Sequence, residues 1–335
     1  LLDAKLSALA ERHSSRAPGR TGAPERVPAA FPGGAALLEG ERAWVLLEGN
    51  PVAAFGAALV WAARHGDLTP RILVDDPEAA GVLARRARLL DPAPTVLAVH
   101  GSELRPAEPA PLPPPAPADP ATAQQAELLV DAGLEVVVED GVVRGEVNGL
   151  EVARIQVGRS SAGVPLAEPL LEVGVGQADR ELTAMLHGEL TPTAQLDRVI
   201  EIVRRHRRPG AERHPLNQLV PERWLRARLV AHPERVGLAR LRPAPTAVPR
   251  ANLRERGLAA ALGEMPDGAP AVVVCCVGVD LDLVPHAADT REALDRSAEL
   301  FLVVPERDDH PATRALAARL VRPARVVPIP GDWRA

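Results

Sequence analysis

The apolar positions of this chain follow two rhythms, and each predicts a different element. Largely apolar segments of strand length, AWVLL at 43–47, RILVD at 71–75 and TVLAV at 95–99, predict buried strands. Between them, GNPVAAFGAALVWAARHG and PEAAGVLARRARLL carry apolar residues at helical spacing. Asn50 stands where a cap belongs, Pro51 suits the first turn and Gly66 suits the stop. Strand, helix, strand, helix, strand in that order predicts a parallel, right-handed βαβαβ lobe, Rossmann-like, over residues 35–105. Ahead of it, Leu2, Leu6 and Leu9 predict a short helix on a flexible arm spanning residues 1–34, because residues 13–34 are Pro, Gly and Arg without a period.

A proline-rich stretch, residues 106–121, cannot form a helix or a central strand and reads as a stiff linker. Residues 122–335 then read as a mixed α/β domain. It opens on a helix (AQQAELLVDAG) and three short strands joined at Asp140-Gly141 and Asn148-Gly149, two dipeptides that favour two-residue hairpins and so an antiparallel β-meander. PLLEVGVGQADRELTAMLHG predicts a strand running into a helix, and TPTAQLDRVIEIVRRHRR a long helix with a threonine cap. Residues 215–262 look helical, with one strand near GLARLRP. Alternation returns at the end: strands at 271–277, 300–304 and 325–329 with helices near 286–296 and 311–321, which predicts C-terminal parallel strands. No repeat of fixed period is visible. The fold class is therefore α/β.

Composition narrows the chemistry. Lys5 is the only lysine, which argues against a P-loop, a Schiff base or a kinase-type strand lysine. There is no tyrosine, and four Trp and three Phe are too few for base-stacking platforms. Cys275 and Cys276 sit side by side in an apolar strand with no second pair, which excludes a zinc finger and a disulfide framework and points to reduced core residues. The net charge of −5 selects no partner class. No apolar run of signal-peptide or membrane-spanning character appears, so a cytoplasmic location without membrane contact is expected.

Two short resemblances bear on function. LLEVGVGQADREL, with Glu172, Gly174 and Gly176, resembles the glycine-rich first motif of methyltransferases, which implies a nucleotide-like cofactor; the third glycine position is Ala178, and a tight turn needing glycine is the competing reading. No organic cofactor is expected. The helix and meander at 122–157 are similar in element order to a restriction-endonuclease-like core, which implies that Glu127, Glu146 and Glu151 hold Mg²⁺. The lysine of that pattern is replaced by Ala153, with Arg154 one residue beyond and on the opposite face of the strand.

Two denser constellations remain. From Arg204 to Arg228 the chain gathers arginines, and Arg204, Arg205, Arg208 and His214 are candidate phosphate-binding residues for a phosphorylated or nucleic-acid ligand. The competing role is compensation of the helix dipole. The loops GVDLDLVPHAAD and PERDDH follow two predicted strands, at the sheet edge where open α/β folds place ligands. Asp280, Asp282, His286, Asp308 and Asp309 are the candidate metal ligands, and so many oxygen donors suit Mg²⁺ or Mn²⁺. Helix capping by Asp308 or Asp309 is the alternative. The leading expectation is a divalent-metal-dependent phosphodiester or phosphate-ester hydrolase, nuclease-like in its use of carboxylates. Its rival is a non-enzymatic α/β scaffold or nucleic-acid-associated binding protein.

Overall fold

The computed structural model describes residues 1–15, 25–159, 165–176, 179–180, 191–248 and 257–334. The chain is a mixed α/β protein with three sheets. Helix α1 (Leu2–Ser15) precedes β1 (Arg26–Ala29), β2 (Gly34–Glu39), β3 (Arg42–Leu47), α2 (Pro51–Arg64), β4 (Pro70–Val74), α3 (Pro77–Ala87), β5 (Thr95–His100) and β6 (Glu103–Pro106). The six strands form one sheet in sequence order, with β3, β4 and β5 parallel and the flanking pairs antiparallel. Asn50 caps α2 and Pro51 occupies its first turn, as the sequence predicts.

After α4 (Pro120–Asp131) come β7 (Glu135–Glu139), β8 (Val142–Val147), β9 (Leu150–Arg159) and β10 (Pro165–Val173), a four-stranded antiparallel meander. Asp140, Gly141, Asn148 and Gly149 all have positive φ, the backbone that two-residue hairpins require. Next are α5 (Pro192–His206), the short α6 (Pro215–Gln218), α7 (Pro221–Ala231), β11 (Arg240–Ala244), β12 (Ala259–Glu264), β13 (Pro270–Cys275), α8 (Leu283–Leu294), β14 (Glu299–Pro305), α9 (Pro311–Ala318) and β15 (Arg325–Ile329). Strands β11 to β15 form the third sheet in sequence order. The helical reading of 215–262 is corrected at β12: AAALGE is alanine-rich, yet it pairs along its length with β13, and tertiary pairing overrides propensity. The predicted helix after β10 falls mostly on residues 181–190, outside the described residues.

The first and third sheets repeat one another, which a search for a fixed period does not reveal. In each, the first strand is antiparallel to the second, the second antiparallel to the third, and the third parallel to the fourth, which neighbours the fifth. A helix precedes each sheet and packs on it, α1 on β2 and β3, α7 on β11, β12 and β13. Equivalent turns carry positive-φ glycines, Gly49 with Gly278 and Gly101 with Gly331. Helices α3 and α9 both start on proline and run into related heptapeptides, ARLLDPA at 87–93 and ARLVRPA at 318–324.

The chain forms two compact units, one of residues 1–112, 280–289 and 310–325, the other of residues 113–279, 290–309 and 326–335. In the first, Leu6, Leu9 and Ala10 of α1 are buried against Leu37, Trp44, Leu46, Leu73 and Leu97. Helix α1 is thus part of the core rather than a helix on a free arm, because each buried leucine contributes about 1.5–3 kcal/mol. The proline stretch is tied to the same unit at its start: Ala110 N–H donates to Gly81, and Arg85 donates to the Ala110 and Pro111 carbonyls. Also in this unit, the two heptapeptides meet in an antiparallel bridge, with Val321 N–H on Leu89 and Asp91 N–H on Arg319. In the second unit one core joins Trp224, Leu225 and Leu229 of α7 to β12, β13, β14 and Trp333, and another lies between the meander and α5. No helix among the described residues is long and apolar enough to cross a membrane.

Candidate functional site

The loop after β13 is built around its own acids. Asp280 Oδ1 accepts the Asp282 amide at 2.9 Å, and Asp282 Oδ1 accepts the Gly56 amide of α2, also at 2.9 Å. Gly56 is needed there, since a Cβ would collide with the Leu281 carbonyl. Burial pushes the Asp282 carboxyl up to about 7, against the Gly56 hydrogen bond and Arg86, which pull it down. His286 lies one turn on; burial, helped by Arg86, pushes its imidazole down to about 3. Asp289, fully buried, is held by Arg85 and by Arg86, the latter at 2.7 Å.

At the end of β14, Asp308 Oδ2 accepts the Gly278 amide at 2.8 Å. The cap of α9 is neither Asp308 nor Asp309 but His310, whose Nδ1 accepts the Ala312 amide. Asp309 instead closes the short 3-10 turn Glu306–Asp308. Among the described residues, no three His, Cys, Asp or Glu side chains are grouped so as to hold a metal ion.

The arginine stretch divides. Arg204 donates to the Gly133 carbonyl at 2.9 Å, and Arg205 pairs with Glu201 one turn back on α5, both exposed. Arg208 is exposed. His214 caps α6 through Nδ1 and stacks on His206 with ring centroids 3.7 Å apart. His206, beside His214 and Arg205, has its imidazole shifted down, with desolvation first among the causes. Arg207, passed over by the sequence reading, is fully buried. It donates to the carbonyls of Asn148, Leu216 and Leu219, so it clasps the β8–β9 turn to the segment leading into α7. Burial brings its guanidinium down to about 10.

The endonuclease-like acids are engaged by arginines. Glu146 is fully buried and held by Arg223 at 2.8 Å and by Arg226; burial alone would raise its pKa, but the two guanidiniums outweigh burial and lower it. Glu151 pairs with Arg144 and Arg180, Glu139 with Arg223, and Glu127 is exposed on α4. Arg154 reaches Glu172 of β10, which also accepts from Gln156. Gly174 and Gly176 of the methyltransferase-like turn both have positive φ, and Ala178 lies outside the described residues. Where a second nucleotide-binding strand would follow, the chain forms α5. Cys275 and Cys276 are buried thiols outside any disulfide, and burial pushes Cys275 up to about 12, which makes it inert.

Compared with known proteins, the chain matches no family model, no curated protein and no solved structure.

Proposed function

We propose that this chain is a non-catalytic α/β binding scaffold, in which one α/β module occurs twice and an antiparallel meander separates the copies along the sequence. Within the first copy we read β3, β4 and β5 with their helices as a Rossmann-like lobe. The observation that carries the proposal is the commitment of the candidate acids to the protein's own donors. Asp280, Asp282 and Asp308 each accept a backbone amide, and Glu146 and Glu151 are held by arginines. A divalent-metal hydrolase needs carboxylate oxygens directed together at a cation, with few competing donors. The arginines support the same reading, because Arg204 and Arg207 satisfy carbonyls and Arg205 pairs within its helix.

The test is thermal melting during titration with Mg²⁺ and Mn²⁺. A scaffold melts at the same temperature with and without millimolar metal. A rise equivalent to roughly 2.7 kcal/mol at one hundred times the dissociation constant, abolished by Asp280→Asn with Asp282→Asn, would replace the scaffold by a metal-dependent phosphate-ester hydrolase.

A further inference from the structure

Among the described residues, the seam between the meander and α7 contains a partly buried acid, Glu135, with one enclosed oxygen that accepts no hydrogen bond. Strand pairing sets Glu135 of β7 directly opposite Glu146 of β8. Both oxygens of Glu146 are taken, by Arg223 and by Arg226 of α7. Glu135 Oε2 is buried with no hydrogen-bond partner, and so are Nε and Nη1 of Arg226. The charges acting on Glu135 are Glu146 from β8, Arg226 from α7 and Arg207 from the end of α5. Arg223 of α7 and Glu139 of β7 are joined to each other at 2.6 Å. Of the other elements on β7, α4 offers Glu127 and Asp131, and β11 offers Arg240 and Arg242, all exposed. The guanidiniums of Arg223 and Arg226 hydrogen-bond to Glu146, so a second negative charge beside it has an enclosed oxygen without a hydrogen-bonded partner.

We propose that Glu135 is a proton-operated latch of this seam: with its proton on, the meander stays closed on α7, and its ionisation loosens α7. Burial first, and Glu146 second, push the Glu135 carboxyl up to about 7, with Arg226 and Arg207 opposing. The sign follows. The closed seam favours the protonated acid, so the stabilisation is fully present below the ordinary value of 4.5 and is lost as pH rises through about 7. Gly149 ties the same seam at the backbone, since a Cβ there would strike the Arg223 carbonyl. A change of charge at Glu135 acts on α7 through Arg226.

The experiment is amide hydrogen exchange on the full chain at pH 6 and pH 8, corrected for the intrinsic rate. The expected result is that opening of residues 221–231 rises about tenfold between the two in the wild type and stays flat in Glu135→Gln. Carbon-13 titration of the wild-type glutamate carboxyls supplies a second reading that needs no variant, with one midpoint near 7 expected. Opening independent of pH in the wild type, the same pH dependence in Glu135→Gln, or all glutamates titrating in the ordinary range would overturn the latch.

Discussion

The two copies of the α/β module use their first helix in different ways. Helix α1 meets its sheet through an apolar stripe, Leu6, Leu9 and Ala10, and its one lysine reaches Asp75 just beyond β4 on a half-exposed surface. Helix α7 also buries Leu225 and Leu229 on its sheet, but its other side carries Arg223 and Arg226 into Glu146 and Glu139 of the meander. The same element, built once for a core, has in the second copy acquired a second face of buried charge. The difference teaches where the specific structure of this protein lies: the sheets repeat, and the polar clasp between α7 and the meander does not.

Removing one partner from that clasp should have the largest effect. Glu146→Ala leaves two guanidiniums buried beside each other, and breaking a buried pair in this way costs roughly 3–5 kcal/mol. Chemical denaturation should show the midpoint falling accordingly. A loss under about 1 kcal/mol would mean that water already reaches the clasp, and the contrast between the copies would collapse. Next comes Gly56→Ala, in the first unit. Alanine in mid-helix gains up to about 1 kcal/mol in propensity, while overpacking costs about 1–3 kcal/mol. The close backbone approach of Leu281 decides the sign, and a net loss of about 2 kcal/mol is expected in the same measurement. A stabilised variant would show that the start of α8 is free to move away from α2.

Much of this architecture is legible in the sequence because strands and hairpins announce themselves locally. AWVLL, RILVD and TVLAV are apolar runs between turn residues, and Asp140-Gly141 and Asn148-Gly149 can hardly be anything but hairpin turns. The repetition is not legible, because the copies share spaced apolar positions rather than words, with the meander between them; ARLLDPA and ARLVRPA are the clearest shared text. The roles of the charges are legible least of all. RWLRAR reads as a basic surface until Glu146, about eighty residues earlier in the chain, is brought beside Arg226. The acids of VDLDL read as ligands because their alternative partners, the amides of Gly56 and Asp282, belong to a backbone whose path the side-chain pattern does not reveal.

The smallest effect should come from the copy-one counterpart of the clasp, Lys5 with Asp75. Geometry alone does not rank it low, since its nitrogen lies 2.6 Å from the carboxylate, closer than Arg223 lies to Glu146. Exposure does: the two side chains are 38% and 54% exposed, whereas Glu146 and Arg226 are almost wholly enclosed. Water screens the first pair and takes over its hydrogen bonds when it breaks, so an exposed pair contributes about 0–1 kcal/mol. The leucines of α1 outweigh it several-fold. Asp75→Asn should therefore shift the denaturation midpoint little, and the shift should shrink further in high salt. A loss above about 2 kcal/mol, insensitive to salt, would place α1 under the same rule as α7 and make both copies of the module depend on enclosed charge.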